Sequence, residues 1–319
     1  MLSDSEISRT PSGERDLAPG TGQHARLMRT ATYVAVAVAL ILVGIKLAAW
    51  LVTDSISMLS SLVDSVMDVA ASTINLLAVR HALVPADAEH RFGHTKIEPL
   101  ASLGQAAFIA GSGLFVVIEA VQRLIRPEPI ESGRLGIGVM VVSMALTLGL
   151  VLFQRHVVRR TRSTAIKADS MHYASDVLVN AGVILAFVLA VSLGWHRADP
   201  IIAVVIAAVI FYGAFQIARD ALDHLMDREL PADEREKIRA IAMSHKQVLD
   251  CHDMRTRAAG VRAFIQLHLE LPHALTLIEA HEICDEVEAA IRAAYPNAEV
   301  IIHPDPEGVP EPRQSFGSR

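Results

Sequence analysis

Cysteine is nearly absent from this chain of 319 residues, which has only Cys251 and Cys284. A disulfide-stapled framework and a four-thiolate metal cluster are thereby excluded, and the two residues are read as buried free thiols. Aromatic side chains are scarce at 5%, and charged ones make up only 20%. Aliphatic residues take their place: 52% of the chain is hydrophobic and the mean hydropathy is +0.37. The first apolar run has no small-residue cleavage site behind it and is too long for a signal peptide, so it is read as a membrane span. The net charge of −6 says little, because the charges are unevenly placed, and no nucleic-acid partner is expected.

About twenty mostly uncharged residues cross the hydrocarbon layer of a bilayer. Six runs reach or approach that length, at 28–52, 56–80, 97–125, 135–158, 171–195 and 200–222. Basic residues are unevenly shared between the connections. Arg155, Arg159, Arg160, Arg162 and Lys167 lie between the fourth and fifth runs, and Arg80, Arg91 and Lys96 between the second and third. The 53–55 connection has none, the 194–199 connection has Arg197 alone, and the 126–134 connection has a basic residue at each end. Basic residues favour the cytoplasmic side, so both termini are expected inside a multi-pass protein of the inner (plasma) membrane. The lipid bilayer is then the first partner. The polar lead, residues 1–25, is expected to be disordered and cytoplasmic, and residues 26–224 form the transmembrane domain.

Beyond residue 222 the pattern becomes that of a small soluble domain, spanning 229–306. Helical spacing over 233–244 is followed by a strand near 251–256, a turn at Ala258-Ala259-Gly260, and an alternating strand over 261–271. Thr276 and Glu279 form a capping box for a helix over 276–295, and a short strand follows at 299–303. The order α-β-β-α-β suggests a helix-on-sheet layer. Residues 307–319 are expected to be a loose tail.

Charges stand where a membrane should forbid them. Asp64 and Asp68 lie near the middle of the second run, and His172 and Asp176 within the fifth. Such groups mark ion pathways. Each pair is spaced i, i+4 and so shares one helical face. Three carboxylates and an imidazole suit a tetrahedral divalent metal such as zinc. Ser57, Ser61, Ser65, Ser72 and Asn75 extend the stripe on the second helix, and Asp169, Tyr173 and Asn180 that on the fifth. Hydrogen-bonded helix glue would explain the Ser and Asn residues, but not three mutually repelling carboxylates. Gly104, Gly111 and Gly113 are read as close-packing residues of the third helix, and Lys46, toward the outer end of its helix, as a residue that can snorkel or pair.

The segments DSISMLSSLVDSVMDVAAS, ADAEHRFGHTKIEPLA and KADSMHYASDV closely resemble the cation diffusion facilitator family. The resemblance runs from the first span to about Pro306. It implies six transmembrane helices plus a C-terminal cytoplasmic α+β domain of ferredoxin-like, metallochaperone-like fold. It implies a homodimeric secondary transporter, not an enzyme, that exchanges divalent metal for protons by alternating access. The transmembrane site then maps onto Asp64, Asp68, His172 and Asp176, and a loop site onto Asp87, His90 and His94. A binuclear cytoplasmic site maps onto His252, His268, His281, His303 and Asp305, with zinc as structural or regulatory ligand as well as cargo. Lys96 and Asp227 map onto a charge interlock. Cys251, beside His252, could perturb the cytoplasmic site. Cadmium, iron and manganese stay open as cargo, since imidazole and oxygen ligands discriminate only partly. Two further readings are weighed: a membrane metalloenzyme, from His281-Glu282-Ile283-Cys284-Asp285, which lacks the second histidine of HExxH, and a metal sensor that no longer transports.

Overall fold

The computed structural model describes residues 21–54, 56–125, 134–193, 198–260 and 262–309. Most of the polar lead, the tail beyond residue 309 and the 126–133 and 194–197 connections lie outside them. Six long helices come first: α1 (Thr21–Thr53), α2 (Ile56–Ala82), α3 (Ile97–Ile125), α4 (Arg134–Thr161), α5 (Thr164–Leu193) and α6 (Ala198–Leu225). Five of these are long and apolar enough to cross a membrane, and α5, at 30 residues, packs among α3, α4 and α6 to complete a six-helix transmembrane bundle. Within the six helices proline occurs only where a helix tolerates it, in the first turns of α3 (Pro99) and α6 (Pro200).

The bundle is turned inside out relative to a soluble protein. Leu51, Phe115 and Phe215 are 61–69% exposed, whereas Ser65, Ser72, Asp169 and His172 are each at most 3% exposed. Apolar contact between helices comes largely from small and β-branched residues, such as Ala106, Ile109, Ala168, Ile206, Ile210 and Ala214 where α3, α5 and α6 meet. Of the three glycines in α3, only Gly113 meets α6 closely, where an added Cβ would lie 3.1 Å from Ile210; nothing lies within 4 Å of one at Gly104 or Gly111. The tightest approach is instead at Gly182 of α5, whose Cβ would fall 2.1 Å from Ile206 Cδ1.

The cytoplasmic domain follows as α7 (Ala232–Met243), β1 (Asp250–Ala259), β2 (Arg262–Leu271), α8 (Leu277–Ala294) and β3 (Ala298–Pro306). The three-stranded sheet has the order β1-β2-β3, with β1 antiparallel and β3 parallel to β2, and α8 makes the crossover. Thr276 and Glu279 do form a capping box at the start of α8. Ile238, Cys251, Ile265, Leu267, Leu269, Ile283, Val287, Ile291 and Val300 form one core from all five elements without help from the bundle, so this α+β layer holds itself together. Cys251 belongs to that core at 3% exposure, and burial pushes its thiol up to about 11. Strand alternation therefore points Cys251 away from the face that carries His252.

Candidate metal centres

Helix α5 begins at Thr164, seven residues before the apolar run at 171. Arg162, in left-handed conformation (φ 54), donates its N–H to Val158 O and ends α4, so only two residues link α4 to α5. The polar start of α5 is then held from three sides. Glu98 of α3 accepts a hydrogen bond from Ser163 Oγ (2.7 Å), Asp169 accepts one from Gln154 Nε2 of α4 (2.6 Å), and Tyr173 Oη pairs with Ser72 Oγ of α2 (2.7 Å). Those bonds press the His172 face of α5 against the Asp68 face of α2.

There His172 Nε2 lies 3.0 Å from Asp68 Oδ1 and 3.9 Å from Asp176 Oδ2. Zinc bound at about 2.05 Å in a tetrahedron separates its ligand atoms by about 3.4 Å, a value those two distances bracket. Phe108 of α3 stands edge-on to the His172 ring with centroids 5.3 Å apart. Asp68, His172 and Asp176 offer ligand atoms all within 4.8 Å of one another, and Asp64 is not among them. Asp64 lies one turn away on α2 and is exposed. Nor does Lys46 reach for a helix end: its ammonium donates to Ser61 O (3.1 Å) and Ser65 Oγ (2.7 Å), on the same stretch of α2. Which residues Lys46 pairs with was not legible, because nothing local fixes how α1 faces α2.

Between α2 and α3, Asp87, His90 and His94 also come within 4.8 Å of one another. Asp87 Oδ1 accepts from the N–H of His90 (2.6 Å) and of Glu89 (3.0 Å), and these backbone bonds hold its carboxyl below the ordinary carboxylate range. His90 Nδ1 is 3.3 Å from Asp87 Oδ1 and His94 Nε2 is 3.4 Å from Asp87 Oδ2. The His94 side chain is only 8% exposed, and its Nδ1 is buried without a hydrogen-bond partner. A carboxylate between two imidazoles, one with an orphaned buried nitrogen, fits a divalent cation better than a solvated loop.

In the cytoplasmic domain, strand register makes the third group. His252 of β1 is opposite His268 of β2, which is opposite His303 of β3, so three histidines form a row across the sheet. Asp305 sits beneath them at 4% exposure. Its Oδ2 is 2.9 Å from His268 Nδ1 and 3.1 Å from His252 Nε2, and its Oδ1 is 3.1 Å from His303 Nε2. Asp305 Oδ1 and His252 Nδ1 are buried yet lack a well-aligned hydrogen bond. This donor set, too, fits a divalent metal. His281 stands apart within the chain: it is on α8, 74% exposed, and its nearest carboxylate is Asp285 at 3.7 Å. Sequence reasoning missed that Asp250 and Glu270, paired across β1 and β2, bring ligand atoms within 4.8 Å of His252 from its other side.

The interlock pair is in contact, with Lys96 Nζ 3.0 Å from Asp227 Oδ2, and Arg257 of β1 adds a third member 3.2 Å from Asp227 Oδ1. A left-handed backbone (φ 55) just after α6 turns Asp227 toward both. Partial burial raises the Asp227 carboxyl, but hydrogen bonds from Lys96 and Arg257 outweigh it and leave it below the ordinary range. A depressed carboxylate stabilises above its unfolded value of about 4 and loses that contribution only as pH falls through the lower folded value. The interlock thus persists at every physiological pH. Both side chains are well exposed, so the pair is worth at most about 1 kcal/mol. Lys96→Glu or Asp227→Lys alone is expected to lower flux through the protein. The double reversal should recover part of it, and only part, because Arg257 loses its partner. Strictly additive losses in that cycle would mean the residues do not act as a pair.

Residues 32–226 match the family model described as the cation efflux transmembrane domain, and residues 230–307 match the cation efflux protein, cytoplasmic domain. The cation-efflux pump FieF of Klebsiella pneumoniae is 46% identical over 297 residues, covering 93% of this chain and 99% of the relative. FieF of Shewanella oneidensis is 48% identical over 286 residues, covering 90% of this chain and 96% of that one. A solved structure of CzrB, described as a candidate zinc transporter, is 39% identical in its zinc form, covers 27% of this chain and 99% of that chain, and has a TM-score of 0.25.

Proposed function

The chain belongs to the cation efflux family, and from that premise we propose that it exports zinc from the cytoplasm in exchange for protons, as a homodimer in the inner membrane with both termini inside. It is a multi-pass transporter of cations and not an enzyme. The observation that carries the zinc reading is the convergence of Asp68, His172 and Asp176 between two membrane helices. One imidazole nitrogen and carboxylate oxygens are borderline ligands, which suit zinc better than they suit metals preferring thiolate or all-oxygen shells. Asp64 completes the set if α2 turns toward α5 as the site loads. Lys46 is hydrogen-bonded to Ser65, the next residue along α2.

Exchange with protons follows from the same atoms. A carboxylate or imidazole binds metal only when deprotonated, so metal and protons compete for one site and loading releases protons. If the helices present that site alternately to the two faces, an inward proton gradient drives metal outward. The loop and cytoplasmic groups hold zinc as resident ions in this reading. The loop ion draws together the α2–α3 connection, and the cytoplasmic ions bind the sheet face where protomers meet. His281, which joins none of these groups among the described residues, is then free to act across the dimer.

Proteoliposomes offered zinc, cadmium, ferrous iron and manganese side by side test this. Zinc uptake is expected to be the fastest, to accelerate when the lumen is made acidic, and to alkalinise that lumen as it proceeds. Zinc flux no faster than that of empty vesicles sinks the reading. Flux without proton movement leaves export but removes the exchange.

A further inference from the structure

The loop group is one ligand short. Tetrahedral zinc sites use four protein ligands when they are structural, and Asp87, His90 and His94 supply three. A fourth metal-binding side chain stands beside them. His81, in the last turn of α2, has its ring 4.8 Å from the His94 ring at 78°, while His90 lies 4.5 Å from His94 on another side. His94 is therefore flanked by two imidazoles and a carboxylate.

We propose that His81 is the fourth ligand of the loop site, completing a set of three histidines and one aspartate for a zinc-class divalent cation. The proposal rests on the reading that the loop group binds metal at all. Three further observations support it. His81 is exposed, so its ring can turn about χ1 without opening a hole in the core. Its own carbonyl accepts from the N–H of Val84 (3.0 Å), which ends the helix and starts the turn that folds the loop back over it. Finally, the position is a helix C-terminus, where unpaired carbonyls favour a cation.

A consequence separates this set from one confined to the loop. Asp87, His90 and His94 are all outside helices in the α2–α3 connection, so three ligands alone would tie the loop only to itself. With His81 included, the ion joins the loop to the helix that carries Asp68. Occupancy of the loop would then fix the cytoplasmic end of α2, one of the two helices that make the transport site.

The test uses the full chain with the other groups disabled, by Asp68→Ala and His172→Ala in the membrane and His252→Ala, His268→Ala and His303→Ala in the cytoplasmic domain. Cobalt(II) reports coordination through its visible absorption, and competition with zinc gives the affinity. This background protein is expected to bind one cobalt per chain with the intense spectrum of a four-coordinate site. Adding His81→Ala should convert it to the weak spectrum of a higher-coordinate, water-filled site. It should also weaken zinc by roughly tenfold or more, since even outer-shell partners of a metal cost that much. Size-exclusion chromatography checks that both proteins stay folded. An unchanged spectrum and affinity after His81→Ala, with binding abolished by Asp87→Ala, overturns the role of His81 and leaves the loop site standing. A weaker affinity with an unchanged four-coordinate spectrum also overturns it, because His81 would then only pack against His94. No cobalt bound by the background protein overturns the loop site, and His81 with it.

Discussion

Alanine at Asp68 or at His172 is expected to bring zinc flux down to that of protein-free vesicles while leaving the folded protein intact. His172 Nε2 lies 3.0 Å from Asp68, and the two residues are 104 positions apart on different helices. Losing either would remove a ligand of the proposed site, which costs more than the roughly ten- to hundredfold that outer-shell partners are worth. Folding should survive for separate reasons. Asp68 sits among carboxylates, so its removal relieves repulsion. His172 leaves a small space beside Phe108, whereas the bonds that position α5 belong to Glu98, Asp169 and Tyr173. Flux in vesicles and elution volume in detergent are the two measurements. Transport at the native rate by Asp68→Ala protein would mean that cargo passes elsewhere. Asp64→Asn is the informative companion: a loss as deep as that of Asp68→Ala would show that α2 does turn Asp64 into the site during transport.

Zinc is expected to stabilise the cytoplasmic domain against heat, and Asp305→Ala to abolish that gain. The fragment 229–309 has its own core and can be studied alone. Among the described residues, Asp305 is the one whose two oxygens face three histidines, so its loss takes the shared carboxylate from all three. Zinc at a hundred times its dissociation constant adds about 2.7 kcal/mol. In a domain of this size each kcal/mol moves the melting point by about 4–8 °C. Zinc should therefore raise the native fragment's Tm by more than about ten degrees and leave that of Asp305→Ala unmoved. Cys251→Ala is the contrast. Its thiol packs in the core on the opposite face, so it should lower the melting point with and without zinc and leave the zinc-dependent rise in place. A full zinc response from Asp305→Ala would assign the metal to other ligands, with Asp250 and Glu270 first in line.

What could be seen in the sequence was whatever lies within one element. The i, i+4 spacing of Asp64 with Asp68 and of His172 with Asp176 put each pair on one face, and the capping box of α8 was legible letter by letter. The start of α5 was not, because Lys167 and Asp169 break the apolar run although the helix continues through them; their partners Asp220 and Gln154 lie on other helices. Contacts across elements were legible only through the family resemblance or not at all. That Asp64 stays out of the three-ligand cluster depends on the rotation of α2 against α5. That Lys46 bonds α2 instead of snorkelling depends on how α1 crosses it. The row His252, His268, His303 requires the β1–β2 register and its irregularity between His252 and Arg255, which alternation alone does not specify.

The outward-facing Leu51, Phe115 and Phe215 give the two halves of this chain different kinds of stability. The cytoplasmic layer hides its apolar residues from water and can unfold and refold as an equilibrium. The bundle turns its largest side chains outward, and once stripped of lipid or detergent those surfaces meet one another faster than the helices can reassemble. Its lifetime outside a membrane is accordingly a rate, set by the amphiphile around it. A heating scan of the whole chain mixes the two: its first transition can be reversible while its second depends on how fast the sample is warmed.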